Sequence, residues 1–447
     1  MRFATISLII LLLIIGCSSR SNDLTKDGRK IVDYWTPWTG FEKQALDEAV
    51  AAFNASQNKI FVKTLSITDP KTKIMLATAS GHPPDIAQLP YYYLPAYAEN
   101  NALTPIAKLC EEHGINEMDF IPIFWESGSY RNVQWAIPFT GSVTAMYYNK
   151  ELFREAGLDP EKPPKTLEEL EAMNEALTRF REDGSIERIG HLPTQPGWWR
   201  TSWGRWFGGS SFNGDDQMLI DSSPWKKTGE WIASYPDRFG ADKLIKLKSG
   251  FGKFASPQNP FFVGKVAIVH QGIWMDNFIR RYASEDFEYG LAAFPASEKS
   301  GIPFVTIGEA DVVSIPNGAK HKKEAMIFIK YLTRQEVLEE LSLKHRKMTT
   351  LKAVSETFLQ DHPHPFIETF VELADSPYAK NRVMIPHYIP YQTDMTVAID
   401  AILYSRSSIE DALKSAQDRQ QDVLEKQLRR WHRVADARMT EWGYERN

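Results

Sequence analysis

Two apolar periods alternate along the folded part of this chain. Ile31 to Tyr34 is a short apolar run that reads as a strand and leads into the loop WTPWTG. Thr39 and Glu42 then have the spacing of a capping box, opening a helix with Leu46, Ala49, Val50 and Phe53 on one face. Ile60 to Ile67 returns to rough alternation, a helix runs through Ile74 to Ala79, and the prolines of GHPPDIAQLP enforce a turn before Ile86. This strand–helix order predicts an α/β domain with a largely parallel sheet. Ligands of such sheets bind at the carboxyl ends of the strands, the edge from which Trp35, Trp38, Gln88 and Tyr91 project.

Further on, YYYLPAYAENNALTPI has helical character with a stop at Asn100-Asn101, and Tyr130-Arg131-Asn132 reads as the turn of a hairpin. The stretch Pro138 to Leu170 combines an aromatic strand through Met146, Tyr147 and Tyr148 with a short helix, Glu151 to Ala156, stopped by Gly157 and Pro160. Thr166 and Glu169 form a second capping box, opening a helix from Leu167 to Phe180. After Gly197 come four Trp in nine residues, with Trp199, Trp203 and Trp206 at helical spacing. They read either as an aromatic stripe in a core or, given Arg200, Arg205 and the glycines, as rings partly facing a polar cleft. FFVGKVAIVHQGIW is a turn, a buried strand from Val266 to Val269, and a glycine, Gly272, ahead of the flat face of Trp274. Helices follow from Lys323 to Leu332 and from Gln335. The segment VMIPHYIPYQ reads as extended, and the chain closes with helices Met395 to Leu403 and Ile409 to about Leu428, then an amphipathic tail to Trp442.

The amino terminus changes the picture. MRFATISLIILLLIIG has an apolar run from Ile6 to Ile15, short of the ~20 residues a membrane-spanning helix needs and matching a secretory signal. Ile14-Ile15-Gly16-Cys17 resembles a bacterial lipobox, which makes Cys17 the expected lipidation site, residues 1–16 the signal peptide and residues 17–29 a flexible tether. The expected location is the cell envelope, outside the cytoplasm. The chain's 447 residues suffice for two or three domains' worth of core. A net charge of −5 without a basic stripe argues against nucleic acid as a partner. Two cysteines, Cys17 and Cys110, exclude a disulfide framework, and no metal-type spacing involves them. His362 and His364 in DHPHP lack a carboxylate-rich ligand set and read as a loop. Gly264-Lys265 lacks the other residues of a phosphate loop. No cofactor, metal or catalytic constellation is expected.

HPPDIAQ, LPAYAENNALTPI, the Pro138–Leu170 stretch, FFVGKVAIVHQGIW, GLAAFPA, IGEADVVSIPNGAKHKKEAMIFIKYL and IPYQTDMTVAIDAILYSRSSIEDALKSAQ follow one another in an order that resembles the family-1 extracellular solute-binding proteins of bacterial sugar importers. The resemblance covers most of residues 30–418 and implies a two-lobed periplasmic-binding-protein-like α/β fold with discontinuous lobes and a central cleft. Lobe 1 is expected over 30–139 plus 296–350, and lobe 2 over 140–295 plus 351–447. It implies a monomer that captures a sugar without chemistry and delivers it to an ABC permease and its ATPase. Ligand-binding positions carried over by segment are Trp35, Trp38 and Thr39 in the first strand–helix loop, Gln88 and Tyr91 after PDI, Tyr148 before Asn-Lys, Trp274, and Tyr388 or Tyr391. Trp199 and Trp203 join them from the tryptophan cluster. Where the family commonly has Gly-Gly, this chain has Gly308-Glu309, so Glu309 is expected to bring a carboxylate to sugar hydroxyls. Flat aromatics suit the apolar face of a pyranose and polar groups its rim. The alternatives are another small polar solute, such as a phosphorylated polyol or a peptide, and a glycoside hydrolase using Glu309 and Asp311.

Overall fold

The computed structural model describes residues 23–443, so the signal segment 1–16, Cys17 and the start of the tether lie outside the described residues. The expected opening is present as strand Lys30–Thr36, helix Gly40–Ser56, strand Ile60–Ser66, helix Pro70–Ala79 and strand Ile86–Pro90. These strands are parallel, with Lys30–Thr36 in the middle. Val32 and Tyr34 face a core with Leu46, Phe53, Phe328 and Leu341.

The two capping boxes behave differently. Thr166 accepts a hydrogen bond from the Glu169 amide at 3.1 Å, and Glu169 accepts one from the Lys165 amide at 2.7 Å. Thr39 does precede its helix, but its side chain makes no cap bond. Glu42 instead takes the Lys347 ammonium at 2.7 Å, because a charged partner 305 residues away outcompetes a local amide.

Two long strands join the halves of the molecule. Ala136–Asn149 is buried at every position. Through Val143 it pairs antiparallel with Thr306–Ser314, and from Thr144 onward it pairs with Val266–Gly272. Thr306–Ser314 divides similarly: Asp311–Ser314 pairs with Ile86–Pro90, and Thr306–Gly308 pairs with Ala379–Asn381. The result is one ten-stranded sheet in which the two crossing strands belong to both halves. A third crossing is marked by bridges from Met348 to Gly141 and from Leu351 to Phe120. This is the two-lobed periplasmic-binding-protein-like α/β fold.

Four local expectations change. The helix expected from Leu167 to Phe180 ends at Leu177, and Arg179–Phe180 is a short strand. The tryptophan segment is a loop followed by a short 3-10 helix, Trp203–Phe207, rather than one helix. The extended segment ends at His387, and the next helix runs Tyr388–Leu403 with Pro390 in its first turn, where the missing amide proton is tolerated. The closing helix and the tail are one helix, Ile409–Trp442, of 34 residues. Its buried face recurs through Leu413, Ala416, Gln420, Leu424, Leu428, Trp431, Ala435 and Met439, the three-to-four spacing of one helical side. Gln417 and Gln421 fasten its near end to the backbone of Met218 and Ile220. At its far end Trp442 meets Trp135 edge-on at 4.6 Å and stacks on Trp431 at 5.8 Å. Among the described residues no helix is long and apolar enough to cross a membrane.

Candidate ligand cleft

Alternate residues of a strand share a face, so Glu309 and Asp311 of Thr306–Ser314 point the same way. Beside the loop that follows Lys30–Thr36 they form a charged floor. Asp311 accepts from the Trp38 indole N–H at 3.1 Å and lies 3.5 Å from the Thr140 hydroxyl. Burial raises the Asp311 carboxyl above its usual range; Lys347 opposes the rise and Glu42 adds to it. Glu309 accepts a hydrogen bond from Nε of Arg382. Burial likewise raises Glu309, with Arg382 pulling the other way. Burial disfavours the Arg382 charge too, but Glu309 and two tyrosines outweigh it and keep the guanidinium protonated.

Arg382 is held from several sides. Its amide donates to the Tyr91 hydroxyl at 2.8 Å, and Tyr91 in turn donates to the Gly308 carbonyl at 3.0 Å. Nη1 donates to the Tyr388 hydroxyl at 2.9 Å and to the Trp198 carbonyl at 3.4 Å. The guanidinium lies 4.9 Å from the Trp199 ring and 5.6 Å from that of Tyr92. Lys347, raised by Glu42 and Asp311 against the effect of burial, is the second cation. The floor therefore sets three carboxylates, Glu42, Glu309 and Asp311, against two cations.

Half-buried aromatics flank this floor. Trp274 follows Gly272 because a side chain at Gly272 would place its Cβ 2.2 Å from the Trp274 ring, which lies across the backbone there. Trp198 is 6.4 Å from Trp274 and 4.7 Å from Phe254. Tyr92 packs at 5.0 Å on Tyr388. Trp35 is half-buried and Thr39 exposed at the loop, while Trp38 is covered by Phe139, stacked at 5.3 Å, and by His345.

The remaining expected residues lie elsewhere. Gln88 is wholly buried under the sheet, its oxygen accepting from Tyr34 at 2.9 Å and Thr36 at 2.8 Å. Tyr148 lies over Gly290 and donates to the Pro160 carbonyl at 3.0 Å. Trp203 is packed among Trp206, Trp231, His270 and Phe294, its indole donating to the Pro193 carbonyl. Trp199 is also fully buried, donating to the His270 carbonyl at 2.6 Å, with its ring stacked at 6.5 Å on Trp274. Tyr391 is bonded to the Thr201 carbonyl and the Ser211 hydroxyl. The two arginines beside the tryptophan cluster are also engaged elsewhere: Arg200 pairs with Asp400 at 2.9 Å, and Arg205 donates to the Asn381 carbonyl.

Arg382 and Lys347 escaped the sequence reading. A carboxylate on an otherwise buried crossing strand, Glu309, was the available signal, since a buried charge needs a partner. Among the described residues no group of three or more His, Cys, Asp or Glu is placed to hold a metal ion. His362 and His364 accept from the amides of His364 and Phe366 and shape their own turn. A cavity of about 820 Å³ also borders Arg382, between the Tyr130–Asn132 turn, the loop 212–215 and the closing helix; none of Glu309, Trp198 or Trp274 lines it.

Residues 41–339 match the family described as bacterial extracellular solute-binding protein. The sn-glycerol-3-phosphate-binding periplasmic protein UgpB of Yersinia pestis is 25% identical over 326 residues, spanning 69% of this chain and 71% of that one. Its counterpart from Pectobacterium atrosepticum is 24% identical over 369 residues, with 78% and 80% covered. Among solved structures, mannotriose-bound CpMnBP1 superposes with a TM-score of 0.75 at 24% identity, covering 87% of this chain and 99% of that one. The sugar-binding protein MalE of Xanthomonas citri gives a TM-score of 0.76 at 19% identity, with 90% and 98% covered. With two-thirds of its length inside the family match, this chain belongs to the bacterial extracellular solute-binding proteins.

Proposed function

We propose that this protein is the ligand-capturing component of an ABC importer, that its ligand is a sugar of oligosaccharide size, and that lipid on Cys17 anchors it outside the cytoplasm. The observation that carries the sugar reading is the set of half-buried rings, Tyr92, Trp198 and Trp274, beside the polar floor of Glu309 and Asp311. Rings of this kind cover the C–H face of a pyranose, and the carboxylates accept from its hydroxyls. The binding set is accordingly Trp35, Thr39, Tyr92, Trp198, Trp274, Glu309 and Asp311, with Trp38, Trp199, Tyr91 and Tyr388 behind it holding Asp311, Trp274 and Arg382 in place. The mannotriose complex and the sugar-binding MalE among the structural neighbours agree with a carbohydrate ligand.

The change of strand partner at Val143/Thr144 supports a lobe boundary close to the expected 139/140. Closure about the crossing strands would be driven by contacts the ligand makes with both lobes. Binding proceeds without chemistry in this reading, with Glu309 paired to Arg382 and Asp311 accepting from Trp38. Titration with a panel of mono- and oligosaccharides, followed by tryptophan fluorescence, tests the sugar assignment. A saturable change with at least one oligosaccharide is expected, and silence across the panel rejects it. Release of reducing sugar from a glycan would replace it with the hydrolase reading. Metabolic labelling with a fatty acid, lost in Cys17→Ser, tests the anchor.

A further inference from the structure

We propose that Glu309 restricts this cleft to uncharged ligands and shuts out phosphate esters, by occupying the guanidinium that a phosphate would need. The proposal rests on the cleft being the ligand site. Its starting point is a contrast: relatives 24–25% identical to this chain are named for sn-glycerol 3-phosphate, yet the arginine in this cleft is already engaged.

Arginine binds phosphate through paired N–H donors. Arg382 has committed Nε to Glu309 and Nη1 to Tyr388 and the Trp198 carbonyl, so each of its paired donor edges is broken and a phosphate is left with Nη2 alone. It cannot swing clear, because Tyr91 fixes its backbone and the rings of Trp199 and Tyr92 border the guanidinium. Lys347 is a poor substitute, since its charge is already offset by Glu42, bonded at 2.7 Å, and by Asp311. An entering dianion would displace Glu309 and leave that carboxylate buried without a partner, while Asp311 on the same face repels it. Removing one partner from a buried ion pair is strongly unfavourable. A sugar hydroxyl meets no such barrier: it donates to the free lone pairs of Glu309 or Asp311 and leaves both ion pairs intact.

The exclusion therefore resides in one side chain and is removable. Glu309→Gln takes away the charge and keeps the shape; Glu309→Gly takes away the side chain. Calorimetric titration with sn-glycerol 3-phosphate, and separately with inorganic phosphate, is run on wild type, on both variants, and on Glu309→Gln combined with Arg382→Met. Wild type is expected to give no saturable heat with either anion. At least one single variant that retains the wild-type circular dichroism spectrum should gain at least about tenfold in affinity for sn-glycerol 3-phosphate, weakening as salt rises. The double variant should lose that gain. Wild-type binding of sn-glycerol 3-phosphate as tight as the variants', or no gain in either folded variant, or a gain that survives loss of Arg382, overturns the proposal. The sugar panel on wild type keeps the two readings apart: sugar binding without a gain in the variants sinks the exclusion alone, and a gain without sugar binding sinks the sugar assignment alone.

Discussion

The Trp274 indole lies across Gly272, so close that a methyl group on that glycine would come within 2.2 Å of the ring. The glycine and the ring are one unit, the bare backbone at the end of Val266–Gly272 being the seat of the aromatic face. Gly272→Ala should push the ring off its seat, destabilising the protein by roughly 1–3 kcal/mol through overpacking and weakening the ligand found in the fluorescence screen. Thermal unfolding and that titration check the two effects; an unchanged affinity would mean the ring is not a ligand platform.

Trp274 and Trp203 should separate binding from stability. Trp203 is 1% exposed at the centre of an aromatic core, and Trp203→Ala should cost roughly 3–5 kcal/mol of stability. Trp274→Ala, at a half-buried ring, should weaken binding by at least ~1 kcal/mol with a smaller effect on unfolding. Urea denaturation beside ligand titration distinguishes the two patterns.

Acid should destabilise the fold through its buried histidines. Burial holds His191, His345 and His364 each at about 4, against an ordinary 6.5. Between those values the unfolded chain binds protons that the folded chain refuses, so stability falls as pH drops from about 6.5 towards 4. The slope is about 1.4 kcal/mol per pH unit for each fully refusing histidine. Unfolding free energies measured from pH 7 to pH 5 should decline, and less steeply in His191→Gln. A flat profile in wild type would show that these rings are protonated without penalty.

The far end of the closing helix should contribute measurable stability. Trp431 stacks on Trp442, Trp442 meets Trp135, and the Arg131 guanidinium covers Trp431 at 4.7 Å. Trp442→Ala removes two ring pairs and should cost roughly 1–3 kcal/mol. Hydrogen exchange should then quicken at the turn of residues 130–133, whereas exchange unaltered there would mean the helix end rests on the hairpin without holding it.

Much of the architecture was legible because it depends on local spacing. The hairpin at Arg131-Asn132 is there, with both residues at positive φ, and the Thr166 box forms as spelled. The helix from Gly40 begins directly after Thr39 as the spacing predicts, although its acidic residue serves Lys347 instead of the cap. The cleft was harder to read because side-chain direction is a non-local property. Trp198 and Trp199 are adjacent, yet one is half-exposed beside Trp274 and the other fully buried. Tyr91 and Tyr92 divide in the same way, with Tyr91 turned inward to hold Gly308 and Arg382. Gln88 lies in a strand covered on both faces, where no alternation of apolar and polar residues marks which way a side chain points. Arg382 lies 73 residues from Glu309 in a segment that reads as an unremarked connector.

The closing helix also bears on how the protein is made. Trp442 bonds to Asn101 across 341 residues, and its ring completes the cover of Trp135. A chain that emerges and folds from its amino terminus holds Trp135 and Arg131 ready long before their partners exist. Contacts of such sequence separation form late and slow the final step of folding. Completion of the half made earlier therefore waits on a residue made 341 positions after Asn101, so losing Trp442 leaves its flaw far back along the sequence, at Trp135.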